Sequence, residues 1–264
     1  MNIFVRELKA NFKSLIIWGV IVVLLTLTGF AKFSAYAENP ELLAILDDMP
    51  KALLDAFNMQ AFNLTTISGF YGVMYIYYAL MVGIAAAMWG SDIISKEERD
   101  KTVEFSLVLP VTRSRMVTAK AMAALTNCIG LLLVMWGMVV VSAQSYQPDS
   151  GFYVFLNLSM VGLFLLQLVF LSVGLLLGCA MKQYKRSGST AVSILLVAYF
   201  FSVITGLHEK LDFLKYLSPF KYVDAGLMFR ESKIEPVYIV LAAVIIVAAT
   251  IGAYVTYAKR DLYI

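Results

Sequence analysis

Six stretches of roughly twenty mainly apolar residues recur along this chain, at 15–31, 70–91, 121–143, 153–181, 188–207 and 237–258. A helix of about that length crosses the roughly 30 Å of hydrocarbon in a bilayer. Lipid offers no partner to backbone N–H and C=O groups, so only helices and closed barrels span it. The 264 residues are 61% hydrophobic and 15% charged, against about 45–50% and 25% in soluble domains. The expected fold class is an all-α integral membrane protein of six transmembrane helices, and a large soluble catalytic domain is excluded. The first stretch reads as a retained span, since Ala31-Lys32-Phe33-Ser34 makes a poor cleavage site.

Orientation follows from the connections. The N-terminus, the 92–120 loop, the 182–187 turn and the tail carry fourteen Lys and Arg residues, and the opposite set of connections carries seven. The positive-inside rule places both termini in the cytoplasm. Ahead of the first span, Phe4, Leu8 and Phe12 recur every four residues while Arg6, Lys9 and Lys13 point elsewhere. That spacing fits an interfacial helix over 1–14, lying along the membrane surface, or a basic flank that orients the span. On the outside, residues 32–69 mix apolar and acidic positions around Pro40–Met49, Leu53, Leu54 and Phe57, which suggests short amphipathic helices. Residues 208–236 are too apolar for a solvated loop, and are expected to dip back into the membrane as a re-entrant segment broken at Ser218-Pro219.

Ion-coupled carriers keep ionisable groups inside the membrane. The six apolar stretches hold no Asp, Glu, Lys, Arg or His, and their polar content is Asn127, Asn157, Gln167, hydroxyls and tyrosines. Catalytic patterns are missing too: no HExxH pair, no GxSxG elbow, no Cys/His metal spacing and no phosphate-binding GxxxxGK[ST]. The sole histidine, His208, falls at an outer boundary without partners, and Cys128 and Cys179 lie within apolar runs as small buried hydrophobes. No catalytic residue and no metal site is expected. Work done on a substrate must draw its energy from another polypeptide.

The 92–120 connection is the segment suited to receive it. It opens with dense charge, turns apolar at Phe105–Leu109, breaks at Pro110 and restarts as a helix near Thr112 or Ser114. On composition alone such a run is more often a solvated face. The order of residues is more informative. Glu98, Lys101-Thr102-Val103-Glu104, Leu107-Val108-Leu109-Pro110-Val111-Thr112-Arg113 and then Lys120 resemble the cytoplasmic loop of the ABC type-two permease family, approximately E-x-x-x-G-T-x-E-x-L-L-x-L-P-V-S-R followed by a lysine. The family's glycine is Lys101 here and its serine is Thr112, which alters the loop bend. Leu217-Ser218-Pro219-Phe220-Lys221-Tyr222 resembles the family's L-x-P-[LF]-x-Y element before the last span, and Arg260-Asp261 its closing pair.

The resemblance implies a single transmembrane permease domain over 1–264. It also implies a coupling helix at 97–113 seated in a cytoplasmic ABC ATPase that binds Mg-ATP, with no cofactor in this chain. Glu97, Glu98, Lys101, Thr102, Glu104, Leu109, Pro110 and Arg113 would carry that coupling, and Leu217, Pro219, Phe220 and Tyr222 would form a re-entrant gate. The partners implied are the ATPase, a second copy or a homologous permease, and the bilayer of a bacterial plasma membrane, with no nucleic acid. The expected function is export of an amphipathic or hydrophobic cargo, a peptide first, otherwise a drug or lipid. An ATP-independent channel or carrier, and a membrane scaffold, are the alternatives. Tyr71, Tyr75 and Tyr78, at helical spacing, and Tyr199 are candidates for the translocation path, ordinary packing being the competing reading. Gly174-Leu175-Leu176-Leu177-Gly178 is a close-approach motif compatible with contact inside one subunit or across a dimer.

Overall fold

The computed structural model describes residues 2–37, 62–99, 111–205 and 209–260. The described residues are helical with short connections and contain no strand. Six long helices dominate: α1 (Ile3–Ala37), α2 (Ile67–Arg99), α3 (Arg113–Gln144), α4 (Ser150–Ala180), α5 (Tyr184–Thr205) and, last in the chain, α8 (Pro236–Lys259). Between α5 and α8 come a 3-10 helix (Glu209–Tyr216) and two short helices, α6 (Pro219–Tyr222) and α7 (Ala225–Glu231). All six long helices are long and apolar enough to cross a membrane. Their outward faces expose rows of large apolar residues, such as Ile16, Val20 and Leu24 on α1 and Val240, Val244 and Val247 on α8. Surface of that kind belongs in lipid.

The helix starts follow local chemistry. Thr112 caps α3 by accepting from the Arg115 N–H at 3.3 Å, and Asp149 caps α4 by accepting from the Phe152 N–H at 2.9 Å. Asp224 caps α7 through the Leu227 N–H at 3.1 Å. Pro236, at the first position of α8, has the fixed φ that a helix start favours.

The N-terminal segment departs from expectation. Residues 1–14 and the first span are not separate elements, because Ile3–Ala37 is one uninterrupted 35-residue helix. Nothing between them breaks it: there is no Pro, and Asn11 donates its side-chain N–H to the Glu7 carbonyl at 2.9 Å within the helix. Its inward stripe is Ile3, Glu7 and Asn11, all buried, continuing through Val22, Thr26 and Phe30, while Phe12 faces outward.

The centre of the bundle is the parallel pair α2 and α4, with α1 and α3 packed together on one side and α5 and α8 against the others. Three glycines set the central spacing. A Cβ on Gly90 would stand 2.3 Å from the Leu171 carbonyl oxygen, one on Gly174 would stand 2.4 Å from that of Ala87, and one on Gly178 would stand 2.6 Å from that of Ser91. The Gly174/Gly178 motif is therefore used inside the subunit, where it brings two backbones together.

The segment after α5 folds back onto the bundle. The Ser218 hydroxyl donates to the Ala198 carbonyl at 2.6 Å. Ala198 lies seven residues before the end of α5 at Thr205, so the Ser218-Pro219 corner sits about 10 Å down that helix. Phe220 reaches further, with its ring 5.6 Å from Phe170 and 5.6 Å from Tyr199 between centroids.

Candidate functional site

The beginning of α1, the last turns of α2, α4 and α8 and the first turns of α3 converge at one end of the bundle, where most of the buried charge of the described residues is gathered. Lys120, inside α3, has no exposed side-chain surface; its ammonium donates to the Ile93 carbonyl at 2.9 Å and pairs with Glu97 at 2.9 Å and with Glu7 at 3.9 Å. Arg6 reaches Glu97 at 3.1 Å and its neighbour Glu7 at 3.3 Å, and Lys96 pairs with Glu7 as well. Buried ions are tolerated only when paired and hydrogen-bonded. Two carboxylates shared among three cations meet that requirement and tie α1, α2 and α3 together.

A second set of contacts joins α8 to this end. Arg260, directly after α8, pairs with Glu98 at 2.7 Å and donates to the carbonyls of Gly178 at 2.8 Å and Cys179 at 3.1 Å, the final turn of α4. Arg113, the first residue of α3, donates to the carbonyls of Tyr257 at 3.2 Å, Ala258 at 3.2 Å and Arg260 at 2.7 Å. The final carbonyls of a helix lack intrahelical partners and carry its negative dipole end, so a cation satisfies both needs. Each arginine closes one helix and links it to another.

These contacts define what brackets residues 100–110. Glu97 and Glu98, in the last turn before that segment, are buried, with 7% exposure each, and point into the bundle. Arg113, just after it, is clamped to the end of α8. Three sequence-derived coupling residues thus anchor the root of the segment through contacts within the chain. Lys101, Thr102, Glu104, Leu109 and Pro110 lie outside the described residues, as do the amphipathic stretch at 40–57, His208 and Asp261. Sequence reasoning missed Glu7, Lys96 and Lys120 as members of the cluster. The available signal was the line Ile3-Glu7-Asn11, four residues apart on one helical face and continuous with apolar positions further along α1.

The tyrosines of α2 are core residues. Tyr71 and Tyr78 are fully buried and Tyr75 nearly so. The Ser159 hydroxyl donates to Leu156 at 2.7 Å, which makes Tyr71 the donor in its 2.7 Å contact with Ser159. Tyr78 donates to Thr26 on α1 at 3.2 Å. Within this single bundle these three translocation-path candidates pack against α4 and α1. Their helical spacing arises because one face of α2 meets α4 and α1. Tyr199 is half-buried beside a small hollow of about 40 Å³ shared with Tyr75, Phe220 and Asp224. The Tyr75 hydroxyl has no hydrogen-bond partner among the described residues, and the hollow has room for a water.

Of the four gate candidates, Pro219, Phe220 and Tyr222 are buried and Leu217 is exposed. Tyr222 stacks on Tyr238 of α8, with centroids 5.4 Å apart and planes 15° apart, and donates its hydroxyl to the Tyr216 carbonyl. The segment is pinned on both flanks, by Ser218 to α5 and by Tyr222 to α8.

A helical bundle with lipid-type outer faces and charge buried at one end is the build of a multi-pass membrane protein. The family model described as ABC-2 family transporter protein matches residues 1–262, and the chain belongs to that family. Membership makes it a membrane subunit of an ABC transporter and implies an ABC ATPase as partner. No curated protein matches the chain.

Proposed function

We propose that the chain is the permease subunit of an ATP-driven exporter, with its charged end in the cytoplasm and residues 100–110 seated in a cleft of the ATPase. The observation that carries this is the double anchorage of that segment. Glu97 and Glu98 before it and Arg113 after it engage α1, α3 and α8, and Arg260 extends the linkage to α4. A displacement of the segment is thereby delivered to five helices at once, as a packed and bistable interface requires.

In this reading two copies, or this chain and a homologue, enclose the path between them, because the tyrosine row fills the interior of a single bundle. The Ser218-Pro219 corner acts as a re-entrant gate on the far side, and Phe220 reaches to about 15 Å from the charged end of α4, judged from the ten residues between Phe170 and Ala180. The cargo is an amphipathic or hydrophobic molecule leaving the cytoplasm or inner leaflet, with a toxin-like or antimicrobial peptide ahead of a drug or lipid, since the outer segments are moderate in size and carry no evident sugar-binding pattern.

Copurification of the chain with its ATPase tests the reading. Glu104→Lys is the discriminating variant, because Arg113 also closes α8 and its replacement would disturb the bundle itself. Loss of ATPase binding or of cargo-stimulated hydrolysis in the variant supports the proposal. Undiminished coupling overturns it, as does uphill cargo movement by the chain alone in liposomes given only an ion gradient.

A further inference from the structure

Between α1 and α2, next to the charge cluster, lies a cavity of about 820 Å³ whose chemistry changes along its length. At one end its lining includes the cations Arg6, Lys13, Lys96 and Arg99. Three carboxylates face the same space, Glu7, Asp92 and Glu97, which leaves one positive charge in excess. Arg6 and Lys96 pair with Glu7, Arg6 also with Glu97, and Arg99 with Asp92. Lys13 is exposed and pairs with no carboxylate among the described residues. At the other end the lining is Ile17, Trp18, Ile21 and Met88. Ile17, Ile21 and Met88 are exposed at 59%, 39% and 42%, so the apolar end opens sideways on the lipid-facing surface.

The dimensions match one leaflet. From Arg6 to Ile21 along α1 is fifteen residues, or about 22 Å, and half of a bilayer with its headgroups is also about 20–22 Å. Trp18 lines the apolar end, and Trp89 of α2 donates its indole N–H to Ser14 of α1 at 2.9 Å, a direct link between the two helices beside the cavity. The space is polar at the end where a headgroup would lie and greasy where acyl chains would run. Basic pockets between membrane helices on the cytoplasmic side are suited to anionic headgroups.

We propose that this cleft is a binding site for an anionic phospholipid of the cytoplasmic leaflet, its phosphodiester held at Lys13 beside the paired Arg6 and Arg99 and an acyl chain lying along Ile17, Ile21 and Met88. The placement in that leaflet rests on the orientation given above; the binding itself does not. A lipid in this position would lie against α1 and the end of α2, the two helices that the Arg6–Glu97 pair joins, and its occupancy would tune their coupling.

The test uses the full chain purified in detergent, without the ATPase, so that its outcome is independent of the transport assay. Phosphatidylglycerol, phosphatidylcholine and glycerol 3-phosphate are each titrated while the thermal unfolding midpoint is followed. Phosphatidylglycerol at about a hundred times its Kd is expected to raise Tm by about 5–10 °C, and neither of the other two should do so. Lys13→Glu, on the exposed side of α1, and Ile17→Trp, which fills the floor, should each leave the lipid-free Tm unchanged and cut the rise by at least half. An equal rise with phosphatidylcholine would overturn the proposal. So would an equal rise with glycerol 3-phosphate, which would mark a free-phosphate site, or a full response in both variants.

Discussion

Arg260 and Glu98, 162 positions apart in sequence, meet at 2.7 Å with both side chains almost wholly buried, so the end of the last long helix is fastened to the end of the second. The same guanidinium satisfies two terminal carbonyls of α4. Removing it leaves a buried carboxylate and two orphan acceptors. Breaking a buried pair of this kind costs about 3–5 kcal/mol. Arg260→Ala should therefore lower the unfolding midpoint of the purified chain strongly, and Arg260→Lys should recover only part of it because lysine lacks the fork of donors. An unchanged midpoint for Arg260→Ala would contradict the assignment.

Lys120 occupies the centre of the cluster, and Lys120→Met keeps its volume while withdrawing its charge from Glu97 and Glu7. The expected loss is again about 3–5 kcal/mol. Pairing it with Glu97→Gln should recover some of that loss, with a coupling of about 0.5–3 kcal/mol in a double-mutant cycle. Strict additivity would show that the two groups do not act on one another.

At the α2/α4 seam, Gly90→Ala places a methyl against the Leu171 backbone and should cost about 1–3 kcal/mol as the helices are forced apart. Gly137→Ala serves as its control. Nothing lies within 4 Å of a Cβ there, and in a helix the change from Gly to Ala favours folding by up to about 1 kcal/mol. Unfolding in graded detergent denaturant separates the two variants.

Tyr71→Phe removes one buried hydrogen bond and no volume. Its expected effect is a stability loss of about 0.5–1.5 kcal/mol with cargo preference unaltered, as suits a core residue. A variant that keeps its stability but changes which cargo is exported would return Tyr71 to the translocation path.

The apolar runs made six helices legible, and the described α2 and α3 extend beyond them because charged and polar residues continue the helices past the apolar stretch. Lys96 and Arg99 prolong α2, and Arg113 to Lys120 open α3. At residues 1–14 the spacing of Phe4, Leu8 and Phe12 marked an apolar face, of which Phe4 and Leu8 pack against the core and Phe12 is exposed. The helix also turns Glu7 and Asn11 inward, and Glu7 meets partners on α2 and α3 that only the fold brings near. Gly174 and Gly178 announced a close approach, but which helix would fill it depended on Gly90 of α2 lying opposite. The Leu217–Tyr222 element was legible as a break in an apolar stretch. Its depth was not, since that depends on Ser218 finding a carbonyl on α5 and Phe220 finding Phe170 on α4.

The unbroken course of α1 has a mechanical consequence. Its 35 residues form a stiff rod about 50 Å long, and its first turns are fixed to α2 and α3 by ions while its far half contacts α2 through the Tyr78–Thr26 hydrogen bond. A tilt of about five degrees about the ionic end would swing the opposite tip by some 4–5 Å on that length. A small angular input at one surface is thus magnified at the other without any hinge in the rod.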